Sequence, residues 1–80
     1  ARLENEEECY RFFEDLCTIN ELQAMAQRYE VARMLKKGDT YIAVAEKTGA
    51  SSATISRVNR CLLYGANGYN IAIERENAEK

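Results

Sequence analysis

Apolar residues recur at helical spacing along most of this chain, and capping or breaking residues divide the pattern into helical segments. The first segment runs from about Asn5 to Cys17 and begins with a cluster of glutamates, which the helix dipole favours at that end. Its apolar positions follow the i, i+3, i+4, i+7 spacing of one helical face. They are Cys9, Phe12, Phe13 and Leu16. We therefore predict an amphipathic first helix.

The second segment opens with a capping box, Thr18-Ile19-Asn20-Glu21, which predicts that a new helix begins after Thr18. We expect this helix to run to Lys37 and to stop at Gly38. It carries two apolar stripes, so it needs more than one neighbour. In so short a chain a second protomer is the favoured neighbour, although helices of the same chain would also serve. The stripes are Leu22, Met25, Ala26 and Tyr29, and Ala24, Val31, Met34 and Leu35.

Three shorter helices are predicted in the second half. Thr40 can cap a helix to about Lys47, and Ser51 can cap another to about Tyr64. The breaker cluster 65–68 separates these from a last helix, Tyr69 to Ala78. The alternatives for its inward side are Ile71 with Ala72, or Tyr69 with Ile73.

The spacing across residues 40–64 is typical of a helix-turn-helix. The first helix needs a small residue where the second crosses it, and Ala45 is suitable. The turn needs a residue that tolerates a positive φ, and Gly49 follows four positions later. The second helix needs an apolar anchor, and Ile55 stands six positions beyond the glycine. The remaining inward positions are Val44, Val58 and Leu62.

The outward side of the second motif helix is rich in short hydrogen-bonding side chains and arginines, and it contains no acid. Short polar side chains can approach the floor of a DNA groove, whereas arginine can bind phosphate or guanine. A solvated surface helix is the alternative, but such helices usually mix glutamate with lysine. The residues predicted to contact DNA are Ser51, Ser52, Thr54, Ser56, Arg57, Asn59 and Arg60.

Composition narrows the class of protein. Eighty residues make one domain, 1–80, whose core would be marginal without a partner. Three cysteines without histidine give no zinc pattern or disulfide framework and suit the reducing cytoplasm. We expect no metal, no cofactor and no catalytic residue, so the protein is not an enzyme. We also expect no membrane segment or signal peptide.

Charge is unevenly distributed along the chain, although its total is only −2. Residues 1–21 carry a net charge of −5, whereas residues 27–65 carry +4. The basic middle is a candidate phosphate-binding face, since the local field matters more than the sum. An ordinary solvated surface would give the same count.

The stretch from Glu6 to about Arg75 resembles the YerC/YecD subgroup of the Trp repressor superfamily. The segments that carry the resemblance are EEECYRFFEDLCT (6–18), QRYEVA (27–32) and TGASSATISRV (48–58). The resemblance implies an all-α fold of six-helix type, an interwoven homodimer and operator binding through the second motif helix. The dimerisation helices would then be about 5–37 and 69–78.

The resemblance also implies a candidate effector site. Thr18, Arg28 and Arg57 match the threonine and two arginines that hold tryptophan, the co-repressor of the Trp repressor. Val58 stands where the family has glycine, and Cys61 where it has serine. A branched side chain would crowd an indole and the lost hydroxyl removes a polar partner, which argues against tryptophan as the ligand.

We therefore expect a bacterial transcriptional regulator, a repressor, whose homodimer binds a double-stranded DNA operator. The alternative is a helical protein-interaction or dimerisation module without DNA binding, with Tyr10, Phe12 and Phe13 on its contact face. The same aromatic residues would otherwise lie in the dimer core.

Overall fold

The computed structural model describes residues 3–79, which form five α-helices. These are α1 (Glu6–Leu16), α2 (Ile19–Lys37), α3 (Tyr41–Thr48), α4 (Ser52–Tyr64) and α5 (Gly68–Ala78). The predicted all-α fold is confirmed, with five helices in these residues where the resemblance implied a six-helix type. Each predicted helix boundary lies within about one residue of the observed one. The ends of the predicted 1–80 domain, including Arg2 and Lys80, lie outside the described residues.

Local hydrogen bonds explain where the helices begin. The side chains of Asn5, Thr18, Thr40 and Ser51 each accept a hydrogen bond from the backbone amide three residues later. Such caps satisfy amides that have no partner within the helix. At the other end of α2, Gly38 adopts φ 104°, a left-handed conformation in which a side chain would be strained. The caps predicted at Thr18, Thr40 and Ser51 are therefore confirmed.

The core lies around the C-terminal half of α2. This helix packs against α3, α4 and α5, while α4 also packs against α3 and α5. The buried residues all have apolar side chains, so burial stabilises the fold through the hydrophobic effect. They are Val31, Ala32, Met34, Val44, Ala50, Ile55, Val58 and Ile73.

The two ends of α2 differ in how well they are covered. Val31 and Met34 are buried by helices of the same chain, whereas Ile19, at the start of the helix, is 73% exposed. The prediction that α2 needs several neighbours is met within the chain only for its second half. On α5, Ile73 is buried and Tyr69 packs against the core, while Ile71 is exposed. The pair that faces inward is therefore Tyr69 with Ile73.

Candidate nucleic-acid interface

The turn between α3 and α4 depends on Gly49. This residue adopts φ 75° and ψ 6°, and its amide donates to the carbonyl of Ala45 at 2.9 Å. A Cβ added at Gly49 would meet nothing within 4 Å, so the need for glycine comes from backbone conformation and not from lack of space. The predicted turn geometry is confirmed.

Two polar residues fix this turn against the rest of the fold. The Thr48 hydroxyl donates to the Val44 carbonyl at 2.7 Å and accepts from the Ala50 amide at 3.1 Å. From α2, the Gln27 side-chain amide donates to the Thr48 carbonyl at 3.1 Å. The start of α4 is therefore held by α2 as well as by α3. The role of Gln27 could not be predicted, since a contact over 21 residues leaves no local signal, whereas the bonds of the Thr48 hydroxyl are local and were not predicted.

The apolar side of α4 is buried as predicted. Ile55 and Val58 are each only 1% exposed, and Val44 of α3 is fully buried beside them in the core. Leu62 and Ala45 pack against the same cluster while remaining partly exposed. This arrangement fixes the rotation of α4 about its axis and thereby determines which side chains face solvent.

Most of the predicted DNA-contact residues lie on the solvent side of α4 or at its N-cap. The exposed ones are Ser51, Ser52, Ser56, Arg57 and Arg60, whereas Thr54 and Asn59 are half-buried at the flanks. The Thr54 hydroxyl also accepts a hydrogen bond from the Ser51 hydroxyl at 3.1 Å. The side chains of Thr54 and Asn59 are thus less accessible to solvent than we predicted when we placed them on the outward side of the helix. Contact between any of these residues and DNA stays a prediction.

The exposed side of α4 extends beyond the residues that the sequence singled out. Ala53, Leu63 and Tyr64 are also exposed, and Tyr64 is 83% accessible. With about 100° of rotation per residue, four exposed side chains fall within about 60° of one another and form a single line along the helix. We call this line the outward row; its members are Ala53, Arg57, Arg60 and Tyr64. Helical spacing alone could have identified Ala53 and Tyr64.

The basic side chains between residues 27 and 65 form two groups, those with a polar partner in the described chain and those without one. Arg33 pairs with Glu30 and Glu76, Lys37 pairs with Asp39, and Lys36 donates to Asn70. The other bases between residues 27 and 65 make no hydrogen bond or ion pair with the part of the chain that the structure describes. They are Arg28, Lys47, Arg57 and Arg60. Their charge is available to an external anion such as a phosphate.

A Glu76 carboxylate on α5 contributes to a second polar cluster, away from the outward row. It accepts from the Tyr29 hydroxyl at 2.7 Å and pairs with Arg33 at 3.1 Å. Partial burial, together with the adjacent carboxylate, raises the pKa of the Tyr29 hydroxyl. These contacts fasten α5 to α2 and leave the basic residues of α4 uninvolved.

Two classes of site receive no support from the described residues. Within 3–79, His, Cys, Asp and Glu side chains form no group of three or more that could hold a metal ion. No helix of that range combines the length and the apolar character needed to cross a bilayer.

The family model of the Trp repressor protein matches residues 1–77. This chain belongs to the Trp repressor family. The match includes all five helices except Ala78, the last residue of α5, so the helix-turn-helix lies within it.

Individual relatives in the Trp repressor family are similar over most of the chain. The uncharacterized protein YerC of Bacillus subtilis (strain 168) is 63% identical over 73 residues, which are 91% of this chain and 70% of YerC. A crystal structure of a candidate Trp repressor from Staphylococcus aureus has 53% identity and a TM-score of 0.83, covering 94% of this chain and 75% of that one. A TrpR-like protein from Eubacterium eligens has 57% identity and a TM-score of 0.84, with 94% and 77% covered.

The three residues that match the tryptophan site of the Trp repressor are placed differently from one another. Thr18 is exposed, and its hydroxyl already accepts from the Glu21 amide in the capping box. Arg28 is half-buried and Arg57 is exposed. No hydrogen bond joins these three side chains within the described protomer. An effector site at Thr18, Arg28 and Arg57 therefore stays a prediction.

Two surface cavities of the described chain are lined by other residues. A groove of about 370 Å³ lies between Tyr29, Cys61 and Tyr69, which come from α2, α4 and α5. A second cavity, of about 230 Å³, lies between Arg33 of α2 and Ile73 of α5. Neither includes Thr18, Arg28 or Arg57 in its lining. Cys61 is half-buried and lines the first groove.

Proposed function

We propose that this protein is a sequence-specific DNA-binding transcriptional regulator, a repressor, that inserts α4 into the major groove. The observation that carries the proposal is the exposed side of α4. It contains no acid, and neither Arg57 nor Arg60 has a partner within residues 3–79. Membership of the Trp repressor family supports the same assignment. Arginine can bind phosphate or pair bidentately with guanine, and small serine side chains allow a close approach to base edges.

The proposal includes a homodimer that presents two copies of α4. A two-fold dimer that reads successive major grooves would hold its recognition helices about 34–36 Å apart. The surface available for dimerisation is the apolar side of α1, because none of the residues of α1 is buried within the protomer. Operator DNA as partner implies the bacterial cytoplasm as location, and three free cysteines are compatible with that reducing compartment.

The experiment begins with selection of bound sequences from a random duplex pool, followed by fluorescence-anisotropy titration over a range of salt concentrations. Arg57→Ala and Arg60→Ala should each weaken binding to the selected duplex. Each should also lower the slope of log affinity against log salt by about one unit for each protomer, because each protomer loses one phosphate contact. The matched control is Arg75→Ala on α5, which removes the same exposed side chain outside α4.

Three outcomes would contradict the proposal. These are a pool that yields no enriched duplex, binding without salt dependence, or Arg57 and Arg60 variants that bind like the Arg75 control. A protein that forms dimers but binds no duplex would instead support the interaction module, with the aromatic side of α1 as its contact surface.

The same selection tests the candidate effector site. Repeating it with and without added amino acids would show whether a small molecule changes affinity. If Thr18, Arg28 and Arg57 hold a co-repressor, Arg28→Ala should abolish the ligand response. Tryptophan should give no response, because Val58 and Cys61 replace the glycine and serine of the family.

A further inference from the structure

We propose that Tyr64 contacts the sugar-phosphate backbone of DNA at the edge of the groove that α4 enters. The inference deepens the function proposed above and rests on it. It assigns a role in DNA binding to the most exposed large apolar side chain of the described residues. That role is separate from the arginine contacts because it involves no charge.

Geometry places Tyr64 in line with the predicted DNA contacts. It follows Arg60 by four residues and Arg57 by seven, which keeps all three on one side of the helix. At about 1.5 Å per residue, Tyr64 lies about 16 Å along the axis from Ala53, at the other end of the outward row. The major groove is about 12 Å wide. A helix whose first turns reach the base edges therefore brings its last turn to the backbone at the groove margin.

Tyr64 has the chemistry for such a contact and no other use within the protomer. It is 83% exposed, and its hydroxyl makes no hydrogen bond with any residue of 3–79. A phenol can donate its proton to a phosphate oxygen while its ring packs against the sugar. Leu63 beside it is 64% exposed but lies about 100° away around the helix. The surface around Tyr64 also carries the charge that attracts DNA, since Arg60 is one turn away.

The test uses the dimeric protein with its selected duplex and with a scrambled duplex of equal length. Tyr64→Phe removes only the hydroxyl, and Tyr64→Ala removes the ring as well. Loss of a hydrogen bond to a charged phosphate should weaken binding about tenfold for each protomer in Tyr64→Phe, with a larger loss in Tyr64→Ala. Both duplexes should be weakened by the same factor, and the salt slope should not change, because an uncharged contact releases no counterion. Leu63→Ala is the matched control and should bind like the wild type.

Sedimentation of each variant separates a contact with DNA from a contact with another chain. The inference is supported if the variants stay dimeric and lose affinity equally for both duplexes. It is overturned if Tyr64→Phe binds like the wild type, if its loss of affinity follows dissociation of the dimer, or if only the selected duplex is weakened. If Arg57→Ala and Arg60→Ala weaken binding while Tyr64→Phe does not, this inference alone fails. If the wild type binds no duplex, the proposed function fails and the inference with it.

Discussion

The helices α1 and α4 are both amphipathic, yet only α4 has its apolar side covered. Ile55 and Val58 of α4 lie against α2 and α3 and are almost completely buried. In α1, Phe12 is 40% exposed and Leu16 is 62% exposed, and no residue of that helix is buried. Spacing alone predicts both helices equally well. What separates them is the presence of other helices of the same chain around α4.

The uncovered side of α1 has the apolar composition of a protein core. Its apolar members, which we call the α1 apolar row, are Cys9, Phe12, Phe13 and Leu16. The rings of Phe12 and Phe13 meet edge to face, with centroids 5.5 Å apart. A contiguous apolar surface on a small domain marks an interaction site, because its contact with water is unfavourable. A second copy of the chain would bury this row in the proposed homodimer.

The largest effect is expected from placing a charge in the α1 apolar row. Phe12→Asp should weaken the dimer by about 3–5 kcal/mol, since an unpaired carboxylate would be buried between protomers. Sedimentation at several protein concentrations would show the shift to monomer. Thermal unfolding of the wild type should depend on concentration, as it does for any obligate dimer.

Asn20→Asp is the matched control for that charge. Asn20 is exposed in the first turn of α2, where a negative charge is compatible with the helix dipole. This variant should change stability by less than about 0.5 kcal/mol and remain dimeric. If Phe12→Asp behaved like Asn20→Asp, α1 would be a free surface helix, and the contrast with α4 would not reflect a missing partner.

A smaller effect is expected at the turn that orients α4. Gly49→Ala should destabilise the fold by about 1–2 kcal/mol, because alanine at φ 75° is strained although its Cβ has space. Gly68→Ala is the matched control, since it also has open space but starts α5 without a positive φ. It should be neutral or stabilise by up to about 1 kcal/mol. Chemical denaturation of both variants measures the difference, and equal effects would contradict the assigned cause.

Local signals in the sequence were sufficient to predict the helices of this fold and their ends. Capping at Thr18 and Ser51 depends on residues three positions apart, and the positive φ of Gly49 depends on its own backbone. Interactions of this range can be read from spacing and residue type. The burial of Ile55 and Val58 followed from the same periodicity once the motif was recognised.

Long-range contacts could not be predicted in the same way. The Gln27 bond to the Thr48 carbonyl and the Tyr29 bond to Glu76 join residues 21 and 47 positions apart. The sequence also predicted the outward side of α4 without its degree of exposure, so Thr54 and Asn59 were expected to be more accessible than they are. The pairing of Arg33 with Glu76 was equally unpredictable, since the two residues lie 43 positions apart, whereas Glu30 and Asp39 are sequence neighbours of the bases with which they pair.

The smallest effect concerns the capping box at the junction between α1 and α2. The Thr18 amide donates to the Glu21 carboxylate at 2.8 Å, and this bond lowers the pKa of Glu21. A carboxyl whose folded-state pKa is lowered stabilises the fold above its unfolded-state pKa, and that contribution is lost as the pH falls through the folded-state value.

Glu21→Gln keeps an acceptor for the Thr18 amide but cannot ionise. Thermal unfolding between about pH 6 and pH 2 should therefore show the wild type more stable at the upper end, with the difference vanishing in acid. Because both proteins share every other carboxyl, a difference that stayed constant with pH would show that the capping box contributes nothing through the charge of Glu21. The α1–α2 junction would then depend on the hydrogen bonds of the capping box without a contribution from charge.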